Sequence, residues 1–458
     1  MSNSFSSSNE VFEWLSNFIN LERGQKPKSF RIDRMHALTE LAGNPQNCAP
    51  SIHIAGSKGK GSVTSMISAI LTAAGYRAAR YMSPHVTDIR ERICLGDSFF
   101  DEDIYCAAGN ELRAITDERL PAAIKSQPAL ASLFDSAKAD GCEPTFWELL
   151  TLLFFLCARQ AKCDVMVVET GMGGRLDSTN VLDPLVSVIT LIELEHTNFL
   201  GNSIAEVAGE KAGIIKKGRP LVLAKQCSEA LDVFKNKARE MNSALYYFPE
   251  VAKLSNINIT TQGTYFDFSS FNNLFIPIPG KVQAENAAVA ITAINIFSQK
   301  SSHGDTEARR IGENSIYNGL KNLKIPARFE NIGKTLPFII DGAHTPESLY
   351  LCVETFCSLY GKDSVLIFGC AADKDAAAMA KIAHSHFAKI IITTPGTFKA
   401  SDPAKVYEAF LQTAGKKKVS LVPDTQEAVK QAQNFALPIL GTGSFYLAAE
   451  IREIVVLG

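Results

Sequence analysis

The chain has 458 residues, 46% of them hydrophobic and 21% charged, with a formal net charge of −2 at pH 7. That length exceeds what one ordinary core organises, so two or three domains are expected. The balance is that of a soluble globular protein and gives no reason to expect nucleic acid or a membrane as partner. The ten cysteines form no CxxC pair, as in a chain of reduced thiols and not a disulfide framework or zinc site.

In chain order, the N-terminal MSNSFSSSNE lacks the basic and apolar regions of a signal peptide, so a cytoplasmic location is expected. SIHIAGS (51–57) reads as a strand entering a glycine-rich loop, and 63–74 as the helix that follows. The apolar run 146–158 contains Glu148, is too short to span a bilayer, and reads as a buried helix. Further strands are expected at 163–170, 184–192 and 220–224.

Between 245 and 278 the pattern changes to short segments, YYFP, ININIT, TYFDFSS and LFIPIP, expected to form a small antiparallel β subregion. A helix is expected over 282–297, a polar loop over 298–307 and then a short helix. A second α/β series begins near 325, with strands at 337–341, 364–369, 389–394, 418–423 and 438–444. The expected fold class is α/β. A P-loop NTPase-like N-terminal domain (1–324), mostly parallel with the β subregion, is followed by a Rossmann-like C-terminal domain (325–458). The hinge falls at 323–328, where Pro326 interrupts the chain.

Gly56, Ser57, Lys58, Gly59, Lys60, Gly61 and Ser62 lie between the first strand and its helix. Glycines let backbone N–H groups close around phosphate oxygens, the helix N-terminus adds positive potential, and Lys60 can reach the β/γ-phosphates. The general GxxxxGK[ST] pattern is matched imperfectly, with Ile54 and Gly61 at two of its positions. The plain alternative is a flexible basic turn.

Three more segments narrow the chemistry: YMSPH (81–85) followed by ERI (91–93); ETGMGGRLDSTN (169–180); and EH (195–196) followed by EKAGIIK (210–216). Glu169 ends an apolar strand, where a carboxylate is costly without a cation, and magnesium held with a nucleotide supplies one. His196 also follows a strand end. Taken singly, Ser83-Pro84 is a turn, His196 a cap, and Lys211 a solvated surface lysine. Their order behind a phosphate loop is much less easily an accident.

Together with PGKVQAENAAVA (279–290), PARFE (326–330), DGAHTP (341–346) and GTGSFYLAAEIR (441–452), these motifs resemble the folylpolyglutamate synthase and dihydrofolate synthase family of the Mur ligase group over almost the whole chain. The resemblance implies ATP-dependent joining of L-glutamate to tetrahydrofolate or dihydropteroate through an acyl phosphate. ATP would be held by the loop around Lys60 and by Asn286, Arg328 and Asp341. Two magnesium ions would be ligated or supported by Ser83, Glu169 and His196. Lys211 matches a lysine that the family carbamylates, and His344 a histidine close to the reacting groups. Pro84, His85 and Arg92 would lie near the folate, with Asp177 on the pterin side, and a monomer is implied. The chain departs from the family pattern at Lys58, where Asn is common, at Glu195 for Asp, at Thr345 for Asn and at Lys399 for Arg. A Mur-type ligase acting on a peptidoglycan precursor, or a nucleotide-binding regulator without turnover, are the competing readings.

Overall fold

The computed structural model describes residues 4–20, 31–134, 143–195, 197–301, 311–396, 400–415 and 418–456. Its larger sheet has eight strands: β1 (Ser51–Ala55), β2 (Ala78–Tyr81), β3 (Ile93–Leu95), β4 (Ser98–Phe99), β5 (Val165–Glu169), β6 (Val186–Ile189), β7 (Leu221–Leu223) and β8 (Leu245–Tyr247). They lie in the order β4-β3-β2-β5-β1-β6-β7-β8. From β2 to β8 neighbouring strands are parallel, while β3 and β4 form an antiparallel margin.

Both faces of this sheet are covered, which is why its strands read as continuous apolar runs. On β5, Val165 and Val167 enter one core cluster while Met166 and Val168 enter another. Helices Lys60–Ala73, Lys281–Ser301 and Glu313–Lys321 pack together on the first face. Helix Phe146–Gln160 covers the second and opens with a capping box between Thr145 and Glu148. Glu148 also accepts from Arg34 Nη2 at 2.8 Å, so the acid inside that apolar stretch is both cap and ion-pair partner.

Two expectations need correction. Residues 245–247 were expected in the antiparallel subregion, but β8 pairs parallel with β7 at the edge of the main sheet, and Phe248–Val251 is a helical turn. The helix Ser228–Glu240 makes the crossover between them, and three aromatic-rich residues carry no periodicity that would have told edge strand from hairpin. Residues 298–301 were expected as loop, yet they are the polar last turn of Lys281–Ser301; the rest of that expected loop, 302–307, lies outside the described residues. The small antiparallel sheet comprises β9 (Leu254–Thr260), β10 (Gly263–Phe268) and β11 (Phe271–Ile276).

The second α/β sheet holds β12 (Glu330–Asn331), β13 (Phe338–Ile340), β14 (Val365–Phe368), β15 (Lys389–Ile392), β16 (Val419–Leu421) and β17 (Ile439–Thr442), ordered β12-β13-β17-β14-β15-β16. All pairings are parallel except that of β12, whose two residues are too few to leave a sequence pattern. One apolar cluster runs from Ile54 and Ile70 beneath the first sheet to Leu349, Phe356 and Phe368 in the second.

Candidate active site

Strands β5, β1 and β6 are neighbours, with Ile54 opposite Glu169 and Ala55 opposite Ile189. Three loops therefore leave the carboxyl edge of the sheet side by side, where open α/β sheets bind ligands. The glycine-rich loop crosses first. Gly56 has φ 149°, and a β-carbon there would stand 1.8 Å from Thr190 Oγ1, so no side chain fits. The N–H groups of Ser57 and Lys58 both donate to Leu191 O, at 2.9 and 3.1 Å. Gly59, at φ 87°, precedes helix Lys60–Ala73, and a β-carbon on it would lie 2.6 Å from Asn286 Oδ1. Lys60 folds back over the loop, its Nζ 2.9 Å from Gly56 O and 3.4 Å from Ser57 O. A helix N-terminus, bare backbone and a lysine thus face one small space, a cradle for phosphate.

Glu169 stands beside it, 2% exposed. Its Oε2 lies 3.6 Å from where a Gly61 β-carbon would be and accepts the Ser83 N–H at 3.3 Å. Burial pushes its carboxyl pKa up to about 7, while Lys60, the Ser83 N–H and Arg328 pull it partway back. Such an acid needs a cation to stay ionised, and magnesium is commonly held by one or two carboxylates plus nucleotide oxygens. The residues present fit that arrangement. Among the described residues no group of three or more His, Cys, Asp and Glu is arranged to hold a metal alone. The expected ligand His196 lies outside the described residues.

Lys211 is not the surface lysine that its type alone suggests. It is 1% exposed on helix Ile204–Ala212, with Nζ 2.8 Å from Glu195 Oε1 and 2.9 Å from Gly56 O. Burial lowers its pKa to about 8 against the pull of Glu195. The loop after β5 rides on the same helix, since a β-carbon on Gly174 would meet Lys211 Cα at 3.0 Å.

The second domain reaches this centre through the end of β13. Asp341 accepts the N–H groups of Phe329 and Ala343, each at 2.8 Å. His344 Nδ1 lies 2.8 Å from Gly342 O; a carbonyl only accepts, so Nδ1 carries the proton and Nε2 is left as acceptor. Lys58 Nζ is 3.4 Å from that Nε2, joining the phosphate loop to the second domain. Burial, with Lys58 beside it, drops the His344 pKa to about 3, so the ring is neutral. The Arg328 guanidinium lies 4.3 Å from the Phe445 ring centroid, and both Asp341 and Glu169 oppose the lowering of its pKa by burial.

Of the residues expected near folate, Pro84, His85 and Arg92 lie in the segment that begins at Ser83, beside Glu169. Pro84 adjoins Ser83 in the segment leaving β2, and Arg92 Nε donates to His85 Nδ1 at 2.8 Å. The Arg92 guanidinium lies 5.0 Å from the Trp147 ring centroid, and a β-carbon on Gly171 would be 3.8 Å from that same ring. Asp177 is engaged in shaping this wall. Its carboxylate accepts from Met172 N at 2.9 Å, Thr179 N at 3.0 Å and Thr179 Oγ1 at 2.5 Å, and Thr179 Oγ1 contacts His53 Nε2 at 2.8 Å. Sequence reasoning gave no role to Trp147, Phe445 or Glu330. The last two lie in segments quoted above as landmarks, which was the one available signal.

Comparison with known proteins agrees with this geometry. Residues 133–294 match the Mur ligase middle domain, and 327–443 the Mur ligase glutamate ligase domain. The chain is 32% identical over 427 residues to folylpolyglutamate synthase of Lacticaseibacillus casei, covering 92% of this chain and 93% of that one. It is 29% identical to the dihydrofolate synthase/folylpolyglutamate synthase of Bacillus subtilis, covering 94% and 96%. Among solved structures, Mycobacterium tuberculosis folylpolyglutamate synthase complexed with ADP and AMPPCP superposes with a TM-score of 0.83 at 26% identity, over 98% of each chain. An FPGS–AMPPCP–folate complex gives 0.80 at 28% identity, over 99% of this chain and all of that one (100%).

Proposed function

The chain belongs to the folylpolyglutamate synthase and dihydrofolate synthase family of Mur ligases, and from that premise we propose how its residues divide the work. It is an ATP-dependent ligase that joins L-glutamate to the carboxylate of a folate. The observation that carries the site assignment is the 3.4 Å contact of Lys58 on the phosphate loop with His344 of the second domain, beside buried Glu169.

ATP lies with its phosphates against Gly56–Ser62, backbone N–H groups and Lys60 offsetting their charge, and with Arg328 and Asp341 on its nucleoside side. Asn286, close against Gly59, stands beside the loop as a further nucleotide contact. Glu169, with Ser83 and His196, would hold magnesium, which when bound would supply charge neutralisation on the transferring phosphoryl group. The folate carboxylate enters past Pro84, His85 and Arg92 and attacks the γ-phosphorus, releasing ADP and leaving an acyl phosphate. Lys58 and the helix N-terminus stabilise the charge on the phosphoryl oxygens. The amine of L-glutamate then attacks the acyl carbon, loses a proton and expels phosphate, forming the amide. Neutral His344, whose Nε2 accepts from Lys58, is placed to hold that lysine beside the phosphoryl oxygens, and the amine proton leaves with the expelled phosphate. Closure of the two domains excludes water, which would otherwise hydrolyse the acyl phosphate.

Lys211 is proposed to carry a carbamate. Carbon dioxide adds only to a neutral amine, and a pKa lowered to about 8 leaves a usable neutral fraction that an ordinary lysine lacks. The nine described cysteines are free thiols, in keeping with a reducing, cytoplasmic compartment.

Dihydropteroate as a second acceptor is supported by relatives named for both activities. Phosphate release with Mg-ATP and L-glutamate tests both readings. Release with tetrahydrofolate alone means a polyglutamate synthase, and release with dihydropteroate as well means a bifunctional enzyme. Release with neither would turn the assignment toward another Mur-type acceptor.

A further inference from the structure

Arg328 sits in a backbone that its neighbours do not favour by themselves. Ala327 has φ 54° and Phe329 φ 47°, so two residues with side chains occupy the left-handed region on either side of it. That region disfavours an L-residue with a β-carbon, and a bulky aromatic there is uncommon. Such a conformation persists only where surrounding groups over-determine it.

Those groups are visible. Phe329 N–H donates to Asp341 Oδ2 at 2.8 Å, and Ala327 N–H donates to Glu330 Oε2 at 2.9 Å. Gly342 N–H donates to Ala327 O at 2.9 Å. Glu330 is in turn gripped by Arg452, whose Nε lies 3.0 Å from Oε1 and 3.3 Å from Oε2. Arg452 belongs to the C-terminal helix Phe445–Val456, and so does Phe445, whose ring lies under the Arg328 guanidinium. Positions 445 and 452 are two helical turns apart and share a face. Gly342 leaves room for that ring, since a β-carbon there would come within 2.3 Å of it.

We propose that Glu330, clamped by Arg452, is a positioning residue that holds the Ala327–Arg328–Phe329 turn in its left-handed form and so aims Arg328 at the nucleotide. The C-terminal helix then sets Arg328 twice, at the guanidinium through Phe445 and at the backbone through Arg452 and Glu330. Glutamate at 330 matters for its two oxygens: Oε2 takes the Ala327 N–H, and the arginine reaches both. This inference rests on the reading of Arg328 as a nucleotide contact.

The test measures KM for ATP and kcat in folded variants, with folding checked by circular dichroism. Glu330→Gln keeps the shape, weakens the charged acceptor and is expected to raise KM for ATP about tenfold with little change in kcat. Adding Ala327→Gly, which adopts a positive φ without strain, is expected to recover most of that loss. Arg328→Ala is expected to raise KM at least as much, and Glu330→Gln added to it to cost nothing more, as for residues acting through one another. A normal KM in Glu330→Gln with a raised one in Arg328→Ala overturns the positioning role alone, as does failure of Ala327→Gly to rescue. An unchanged KM in Arg328→Ala overturns the nucleotide reading beneath it.

Discussion

The Nζ of Lys211 lies 2.8 Å from Glu195 Oε1 with 1% of the lysine side chain exposed, which makes a residue type that normally faces solvent part of the wall behind the phosphate loop. Lys211→Ala is expected to reduce ligase turnover about a hundredfold or more while the protein stays folded, because Glu195 keeps some access to water. Steady-state phosphate release and a melting curve check this. With a pKa near 8, the neutral amine falls tenfold per pH unit below that value. Activity in carbon dioxide-depleted buffer is therefore expected to recover on adding bicarbonate, and near-normal turnover in folded Lys211→Ala would sink the carbamate.

Glu169 gives a pH-dependent stability of definite sign. Its folded pKa of about 7 lies above the ordinary 4.5, so between those values the folded chain holds a proton that the unfolded chain has released. Stability from this group is present below pH 4.5 and lost as pH rises through 7, by about 3 kcal/mol in all. Glu169→Gln is expected to melt higher than the parent at pH 8 and to converge with it toward pH 5. It should also lose most Mg-ATP-dependent turnover. Equal melting temperatures at pH 8 would contradict the buried, unneutralised carboxylate.

The contact between Lys58 and His344 predicts a turnover defect. His344→Ala removes the acceptor that holds Lys58 beside the phosphoryl oxygens, and kcat is expected to fall about a hundredfold while KM for ATP changes less. Because the ring is neutral with a pKa near 3, no limb of the pH–rate profile between pH 5 and 9 should disappear with the histidine. Loss of such a limb would show that His344 titrates in that range.

Asp177 is predicted to act through the loop that it builds. Asp177→Asn weakens acceptors used by Met172 and Thr179, so stability is expected to fall by about 1–3 kcal/mol, with KM for folate rising as the wall opposite Trp147 loosens. A thermal melt unchanged from the parent, together with weaker folate binding, would instead favour direct contact with the pterin.

Much of this site is legible in the sequence because it is local. The phosphate loop is one strand–loop–helix unit, and Glu169 could be noticed because an acid ending an apolar strand is costly without a partner. The burial of Lys211 was not legible from its residue type, since its partners Glu195 and Gly56 come from other segments. Nor was the environment of Arg328, which depends on Phe445 and Arg452 more than a hundred residues later. In the fold, the buried parallel strands were readable as apolar runs, whereas β8 and β12, of three and two residues, were too short to carry a period. Sequence patterning likewise assigned no elements to β2, β3 and β4. Their pairings are set by tertiary contacts and not by any strong pattern of their own.

The central claim is an acyl phosphate formed from the folate carboxylate. Folate labelled with ¹⁸O in both oxygens of its reacting carboxylate, incubated with Mg-ATP and L-glutamate, tests it by mass spectrometry of the released phosphate. The mechanism predicts one ¹⁸O in each phosphate and one retained in the new amide. Phosphate released without label would mean that ATP is hydrolysed by water and would contradict the account.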